Sequence, residues 1–270
     1  MADTNDFDSM DNIGTEEQQD TAKETTGALA SFVLLSEAEI DLNLLAEDLE
    51  KDWGITVSEE GFNEEKDALV ADVDGMYVAV SLVDAPVPNE EAVVNAGTNF
   101  FWPDAVETAK AHKAQVIIAI LKHDEPLLNA AKLYVKVCAS CLKQPKATAI
   151  NTLGSVYEPK FYIDSAEHAF AGGVFPVSNL VFIGLYGSND KVCGYTYGMD
   201  VFGKKNMEII ESERTSGEVY DFLYNIAAYV IESDITLQSG ETIGFSENEK
   251  NAITESDSNV LGEPTLKIAF

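Results

Sequence analysis

The sequence predicts a protein of the α+β class. Short apolar runs typical of strands alternate with segments whose apolar residues recur every three or four positions, which is the spacing of a helix face. Two pairs of predicted strands are joined by short turns, which favours antiparallel pairing. We therefore expect two packed halves of the order β-α-β-β-α-β, the order of a ferredoxin-like unit, which could share one continuous mixed sheet.

The first predicted half spans residues 29–124 and begins with the apolar run Ser31–Leu35, which has the length of a buried strand. Ser36-Glu-Ala-Glu39 has the spacing of a capping box, so we expect a helix to begin there. Gly54 is expected to end that helix. Its apolar stripe is Leu42, Leu45, Leu49 and Trp53.

A hairpin, a second helix and a strand complete this half. Ala68–Val73 and Met76–Val83 are predicted strands, joined at the tight-turn signal Asp74-Gly75. Trp102-Pro103-Asp104 predicts the start of a helix that reaches Lys113, because proline and acidic residues are favoured in a first turn. Ala114–Leu121 is a predicted central strand, since its only polar residue is near its start.

The second predicted half spans residues 125–270. Pro126 is expected to begin a long helix whose core stripe is Leu128, Ala131, Val135, Cys138 and Leu142. A helix is expected over Pro159–Phe170, and another after the capping-box sequence Thr215-Ser-Gly-Glu218. Ser246–Glu263 is polar, and we expect a loop with a short helix there. The predicted strands are Ala147–Asn151, Leu180–Tyr186, Val192–Tyr197, Asn206–Ile210 and Leu266–Phe270.

The charge of the chain excludes several classes of partner. There are 47 acidic residues against 17 basic ones, which gives a formal net charge of −30, and Arg214 is the only arginine. We therefore expect no binding to nucleic acid and no attraction to an anionic membrane, because both need a basic surface. Residues 1–28 are strongly acidic and lack any regular apolar period, so we expect a disordered acidic tail that is dispensable for folding.

Targeting signals and cysteine usage indicate the compartment. We expect no signal peptide, because the first residues lack a basic segment followed by an apolar one. The aliphatic run Val116–Leu121 is far shorter than a membrane span. Three cysteines do not form a secreted disulfide framework. These observations predict a cytoplasmic protein.

Cys138-Ala-Ser-Cys141 is the motif with the most obvious chemical potential. A redox motif of this spacing needs its first thiol at a helix N-terminus, whereas both cysteines are expected near the C-terminal end of a helix. A zinc site would need a second pair of ligands, and the sequence has no second motif of this kind. We expect packed thiols, no metal site and no cofactor.

No sequence signature of catalysis is present. The chain has no Gly-x-Ser-x-Gly elbow, no phosphate-binding loop and no dinucleotide fingerprint. The aromatic cluster Phe100-Phe101-Trp102 and the pair Tyr195 and Tyr197 could line a pocket, although core or cross-strand packing explains them as well. We therefore predict no catalytic residues.

The candidate binding surface is the start of the helix at Trp102. The first amides of a helix have no partner within it, and an aromatic wall beside them suits recognition of a polar group. Asp104, Thr108 and His112 are four residues apart and should share one helix face. The alternative is structural: Trp102 fills the edge of the core and Asp104 caps the helix.

Several segments resemble an uncharacterised bacterial family, the domain of unknown function numbered four-two-six-one. The segments are Phe101–Glu107, Ala111–Val116, Tyr195–Gly198, Phe202–Lys204, Asn206–Ile210 and Gly240–Ser246. The resemblance runs from about Ser31 to Phe270, and its C-terminal part is the more specific. It implies a bacterial cytosolic protein and supplies no activity or catalytic residue.

Together these observations predict a non-catalytic binding module. We expect its acidic surface to recognise a protein partner, which would be a basic protein in an immunity-like or regulatory pair, and electrostatic steering would accelerate that encounter. The alternative is an enzyme or small-ligand receptor with a pocket between the two halves. A concave pocket with convergent polar groups would favour the ligand; a flat acidic patch with exposed aromatic side chains would favour the protein partner.

Overall fold

The computed structural model describes residues 28–58, 61–63, 67–122, 126–246 and 249–270. The predicted acidic tail lies outside the described residues except for Ala28, which begins the first strand. Among the helices described, none combines the length and apolar character that crossing a membrane requires.

Helices and strands alternate along the chain, which confirms the α+β class. The described helices are α1 (Leu42–Trp53), α2 (Glu91–Ala96), α3 (Ala105–Ala111), α4 (Leu127–Cys141), α5 (Pro159–Gly172), α6 (Val177–Leu180) and α7 (Ser216–Glu232). The strands are β1 (Ala28–Leu35), β2 (Phe62–Asn63), β3 (Ala68–Val73), β4 (Met76–Val83), β5 (Ala114–Lys122), β6 (Ala147–Thr152), β7 (Ser155–Tyr157), β8 (Phe182–Ser188), β9 (Lys191–Tyr197), β10 (Met207–Ser212), β11 (Thr242–Ile243), β12 (Asn251–Asp257) and β13 (Pro264–Ile268).

The described strands form two separate sheets. The first has the order β2-β3-β4-β5-β1-β6-β7, and every neighbouring pair is antiparallel. The second has the order β11-β12-β13-β10-β9-β8, in which β10 and β13 are parallel. The continuous sheet that the sequence allowed is therefore not formed by the described residues.

The ferredoxin-like strand order expected for the first half is wrong. In that arrangement a single strand separates the two strands that a helix connects. Here β5 and β4 both lie between β1 and β3. The reason is pairing: β4 pairs with β5 from Met76 to Val83, while β1 pairs with β5 on one side and with β6 on the other, so neither edge of β1 is open to the hairpin. β6 and β7, from the predicted second half, complete the first sheet.

Helices cover both faces of the first sheet. On one face α4 packs with α1 and α5, and α4 is buried almost all round, as expected of a helix with neighbours on several sides. On the other face α2 and α3 lie against β6 and β7. Small side chains let these two helices approach the sheet closely; they are Ala92, Ala96, Ala105 and Ala109.

In the second sheet, α7 packs on one face of β9 and β10. Gly194 makes this approach possible, because a Cβ there would lie 2.7 Å from Val219 and 2.9 Å from Leu223. The capping box that the sequence predicted for α7 is confirmed: Thr215 accepts from the amide of Glu218, and the Glu218 side chain accepts from the amide of Thr215. One continuous apolar core joins the first sheet, α4, α7 and the second sheet.

Two predictions about local structure are wrong. α1 begins at Leu42 rather than near Ser36, because the Asp41 carboxylate accepts from the first free amides, while the Ser36 hydroxyl donates to the carbonyl of Lys146. The segment expected to be a loop with a short helix contains strand β12. In β12 only Ile253 is buried, so the apolar pattern carried no signal of a strand.

Candidate binding site

A cavity of 540 Å³ lies where the edge strands of the two sheets meet, β7 of the first and β8 of the second. Its lining also includes the loop between α2 and α3 and the first residues of α5 and α7. Six aromatic side chains line it: Phe101, Trp102, Tyr157, Phe161, Phe182 and Tyr220. Among the lining residues, all of which the structure describes, Glu158 alone carries a charge.

Asn99 attaches the loop between α2 and α3 to the first sheet. Its side chain is buried, and its amide nitrogen donates to the carbonyl of Val156 in β7 at 2.8 Å. Its side-chain oxygen accepts from the backbone amide of Phe101 at 3.1 Å. Both polar ends of Asn99 are therefore used, and the loop that carries Phe101 and Trp102 is held in place beside the cavity.

The aromatic side chains of that loop are unusually exposed. Phe100 and Phe101 are 50% and 58% exposed, with ring centroids 4.1 Å apart. The Phe101 ring contacts the ring of Tyr220 in α7 edge to face at 5.8 Å, so the loop between α2 and α3 touches the helix that packs on the second sheet. Trp102 is half-buried, and it both lines the cavity and packs against the small apolar cluster beneath α2 and α3.

The opposite wall is built at the start of α5. Pro159 occupies the first position of this helix, where its missing amide costs nothing. The rings of Tyr157 and Phe161 stack at 5.9 Å, and Phe161 is 43% exposed. Glu158 lies at the N-cap but makes no capping hydrogen bond through its side chain, so its exposed carboxylate is available to a bound group.

The start of α7 closes the third side with Ser216, Gly217 and Tyr220. Burial raises the pKa of Tyr220, and burial also raises that of Tyr157. Both phenols therefore stay protonated at neutral pH. The hydrogen bond from the backbone of Thr215 holds the pKa of Glu218 below its ordinary value, which keeps the cap charged. The arrangement can hold a flat or aliphatic group between aromatic faces, with a carboxylate nearby for a cation.

Of the predicted site residues, the structure places only Trp102 at the cavity. Asp104 is exposed, and its carboxylate makes no capping hydrogen bond. Thr108 is half-buried on α3. Both ring nitrogens of His112 contact backbone groups: Nε2 accepts a hydrogen bond from the amide of Val87 at 2.8 Å, and Nδ1 contacts the carbonyl of Ala109. Asp104, Thr108 and His112 thus lie along α3 but do not line the cavity.

The cysteine motif lies on α4 and is packed in the interior, as expected. Cys138 and Cys141 are free, fully buried and in the last turn of α4. The thiol of Cys138 lies 3.3 Å from the Ser31 hydroxyl, and burial raises its pKa to about 12. Among the residues that the structure describes, no group of three His, Cys, Asp or Glu side chains is placed to hold a metal ion.

The sequence interpretation missed most of the cavity. It singled out Phe100–Trp102 and the pair Tyr195 and Tyr197 as possible pocket residues. Phe101 and Trp102 line the cavity, but Tyr195 instead covers the backbone of Gly184 within the second sheet. Asn99, Phe161 and Tyr220 are distant in sequence, and no local pattern connects them.

Comparison with known proteins gives one match. Residues 195–269 match the model of a family described as Domain of unknown function (DUF4261). The matched segment runs from β9 to β13 and includes the start of α7, which confirms the C-terminal part of the resemblance seen in the sequence. No curated protein and no solved structure matches the chain.

Proposed function

We propose that this protein is a non-catalytic cytoplasmic binding protein, and that its cavity between β7 and β8 holds an apolar side chain of a basic protein partner. The observation that carries the proposal is the composition of the cavity: six aromatic side chains and one carboxylate, Glu158. Partly exposed aromatic side chains in a concave site are the usual anchors of protein recognition.

Size supports a side chain or a short segment as the occupant. The cavity of 540 Å³ lies within the range of about 300–1,000 Å³ typical of ligand pockets. Phe101 and Phe161 line the cavity, Phe100 packs against Phe101, and all three remain 43–58% exposed, so apolar surface adjoins the cavity. A partner that fills the cavity would also cover these rings and remove them from water, which is favourable.

Charge supports a basic partner. The chain carries a net charge of −30, and the cavity contributes a negative group of its own through Glu158. A lysine or arginine beside the anchoring side chain could pair with Glu158 and lie over an aromatic face. The electrostatic field of the acidic protein would accelerate association with a cationic segment, and salt would weaken that effect.

A small-ligand receptor is the second candidate, because the cavity is concave and has the polar lining groups Asn99, Ser178 and Ser216. Two observations favour the protein partner. Asn99 already uses both ends of its side-chain amide on the backbone. The exposed phenylalanines extend the apolar surface beyond the cavity itself, which a ligand confined to the cavity would leave in water.

The test uses a synthetic peptide, Lys-Val-Lys-Phe-Lys-Leu-Lys, acetylated and amidated, with binding measured by calorimetry at two salt concentrations. Gly217→Leu is designed to fill the cavity. Gly217 lies in the first turn of α7 with open space at its Cβ position, so the helix tolerates the new side chain. We expect Kd to rise at least about tenfold in this variant and to rise with salt in the wild type.

The matched control is Gly172→Leu. Gly172 is the last residue of α5, it has almost the same free space, and it lies about 20 Å along the helix from the cavity-lining end. This variant should bind like the wild type. Equal binding by Gly217→Leu, or by a peptide in which glutamate replaces every lysine, would contradict the proposal. Absence of binding by the wild type would contradict it as well.

A further inference from the structure

The geometry points to β8 as a docking edge: an extended basic segment of the partner adds to the second sheet as a further strand, and its alternate side chains enter the cavity. This inference rests on the proposed function and specifies how the partner binds. In such an arrangement main-chain hydrogen bonds supply affinity, and the pocket for alternate side chains supplies specificity.

The register of the β8–β9 hairpin shows which backbone groups are free. Ser188 and Lys191 flank a two-residue turn, Asn189-Asp190, in which both residues have positive φ. The flanking pair of such a turn exchanges backbone hydrogen bonds, and these bonds then recur at every second residue. Tyr186, Gly184 and Phe182 therefore bond to β9, and the three residues that alternate with them direct their N–H and C=O groups away from it.

Those three outward-directed residues are Ile183, Leu185 and Gly187. Within the described chain β8 has no neighbour on this side, and no hydrogen bond joins the outward groups to another segment. Ile183 and Leu185 line the cavity; Ile183 is buried, Leu185 is half-buried and Gly187 is exposed. The unpaired edge therefore begins inside the cavity at Ile183 and reaches the surface at Gly187.

The other edge at the cavity is covered by a side chain that uses the outward carbonyl of its strand. β7 belongs to the β6–β7 hairpin, and the paired residues Thr152 and Ser155 flank its turn, so Val156 directs its backbone groups outward. Its carbonyl accepts from the Asn99 side chain at 2.8 Å. The first sheet is thus capped at the cavity by a buried amide, whereas the second sheet is not.

β8 also lacks the usual protection of an edge strand. Natural edges are kept from pairing by charged side chains, proline, bulges or very short length. β8 has seven residues, contains no charged residue and no proline, and pairs with β9 without a shift in register. An edge of this kind beside an aromatic cavity fits an added strand.

The side chains of a strand point alternately to its two faces, and this pattern fits the proposed occupant. Leu185 lies on the α7 side of the second sheet, next to Gly194, and it lines the cavity together with Ile183 and Tyr220. Every second side chain of an added strand would face the cavity, and the remaining ones would face away from it. A segment in which apolar residues alternate with lysine or arginine would fill the cavity and keep its cations near acidic surface, in keeping with a net charge of −30.

The test uses the lysine peptide introduced above with methyl groups on alternate backbone nitrogens. One version is methylated at the four lysines and the other at valine, phenylalanine and leucine. A strand uses only every second N–H toward its neighbour. We therefore expect one version to bind at least about tenfold more weakly and the other within about threefold of the parent peptide, since several hydrogen bonds are lost in only one case.

A second readout follows the protein by amide hydrogen exchange. The amides of Ile183 and Leu185 should slow on peptide binding, whereas those of Gly184 and Tyr186, which already bond to β9, should change little. Equal binding of both methylated peptides, or no slowing at Leu185, would overturn strand addition. If Gly217→Leu still weakened the parent peptide in that case, the cavity would remain the binding site and only the strand would be wrong.

Discussion

The buried interior around α4 and the cavity between β7 and β8 both contain aromatic side chains, but these are enclosed around α4 and partly exposed at the cavity. On α4, Tyr134 and Cys138 are fully buried, and the Tyr134 hydroxyl forms a hydrogen bond with the Thr152 hydroxyl at 2.5 Å. At the cavity, Phe101 and Phe161 are 58% and 43% exposed. Aromatic rings that are enclosed on all sides stabilise the fold, whereas rings left partly in water contribute less to stability and here form the surface of the proposed binding site.

The same contrast holds for backbone and polar groups. Around α4, buried hydroxyl and thiol groups are hydrogen-bonded to each other, as the Ser31 hydroxyl and the Cys138 thiol are at 3.3 Å. At the cavity, the outward groups of Ile183 and Leu185 have no bond within the described chain. Under the proposed function, stability and binding belong to different regions, and substitutions should separate them.

The largest effect should come from Tyr134→Ala. Removing a fully buried ring should lower the free energy of unfolding by about 4 kcal/mol, and denaturant unfolding measures the loss. Phe101→Ala should cost less than about 1 kcal/mol, because more than half of that side chain is already exposed. Phe101→Ala should nevertheless weaken peptide binding. Equal losses of stability would contradict the distinction between the two regions.

Asn99→Ala should have the next largest effect. It leaves the buried carbonyl of Val156 and the partly buried amide of Phe101 without their partner, which should cost about 2 kcal/mol. Peptide binding should weaken too, since the loop carrying Phe101 is no longer held. Asn225→Ala, on the exposed face of α7, is the matched control and should change neither property. An unaffected Asn99→Ala would show that the loop needs no attachment.

Alkaline pH should destabilise the interior. Cys138 has an ordinary pKa of 9.0, which burial raises to about 12. The thiol therefore ionises first in the unfolded chain, so its contribution is complete below pH 9.0 and is lost as the pH rises toward 12. Between pH 9 and 10 this group should remove about 1 kcal/mol. Cys138→Ala should show a correspondingly shallower fall in urea unfolding; an identical slope would contradict the assignment.

The smallest effects should be those at α3. His112→Ala should cost about 1 kcal/mol, because the amide of Val87 loses its acceptor. Asp104→Asn should change stability by less than about 0.5 kcal/mol, since the carboxylate makes no capping bond. Neither variant should alter peptide binding by calorimetry. A folded Asp104→Asn protein that no longer bound the peptide would instead identify the α3 face as the binding surface.

Elements with local signals could be predicted from the sequence. The β3–β4 hairpin, α4 after Pro126 and the capping box of α7 all follow from patterns within a few residues. The strand order could not be predicted, because an apolar run specifies burial but not its neighbour. β12 escaped detection for a related reason: Ile253 is its only buried residue.

Only a small part of the candidate site had a sequence signal. Phe101 and Trp102 stand out as an aromatic cluster before a helix, and both line the cavity. Phe161 and Tyr220 each look like an ordinary helix residue. Asn99 carries no local signal either, because its role depends on Val156, which lies on another strand.

The sequence by itself determined the class of fold, the strong acidity, and the burial of the two cysteines, because these depend on composition and on the period of a few residues. Only the tertiary structure decided that β7 is capped by Asn99 while the edge of β8 is left open beside an aromatic cavity. The physical reason is distance along the chain: the cavity joins residues from Asn99 to Tyr220, and contacts over such separations are set by the packing of whole sheets and helices.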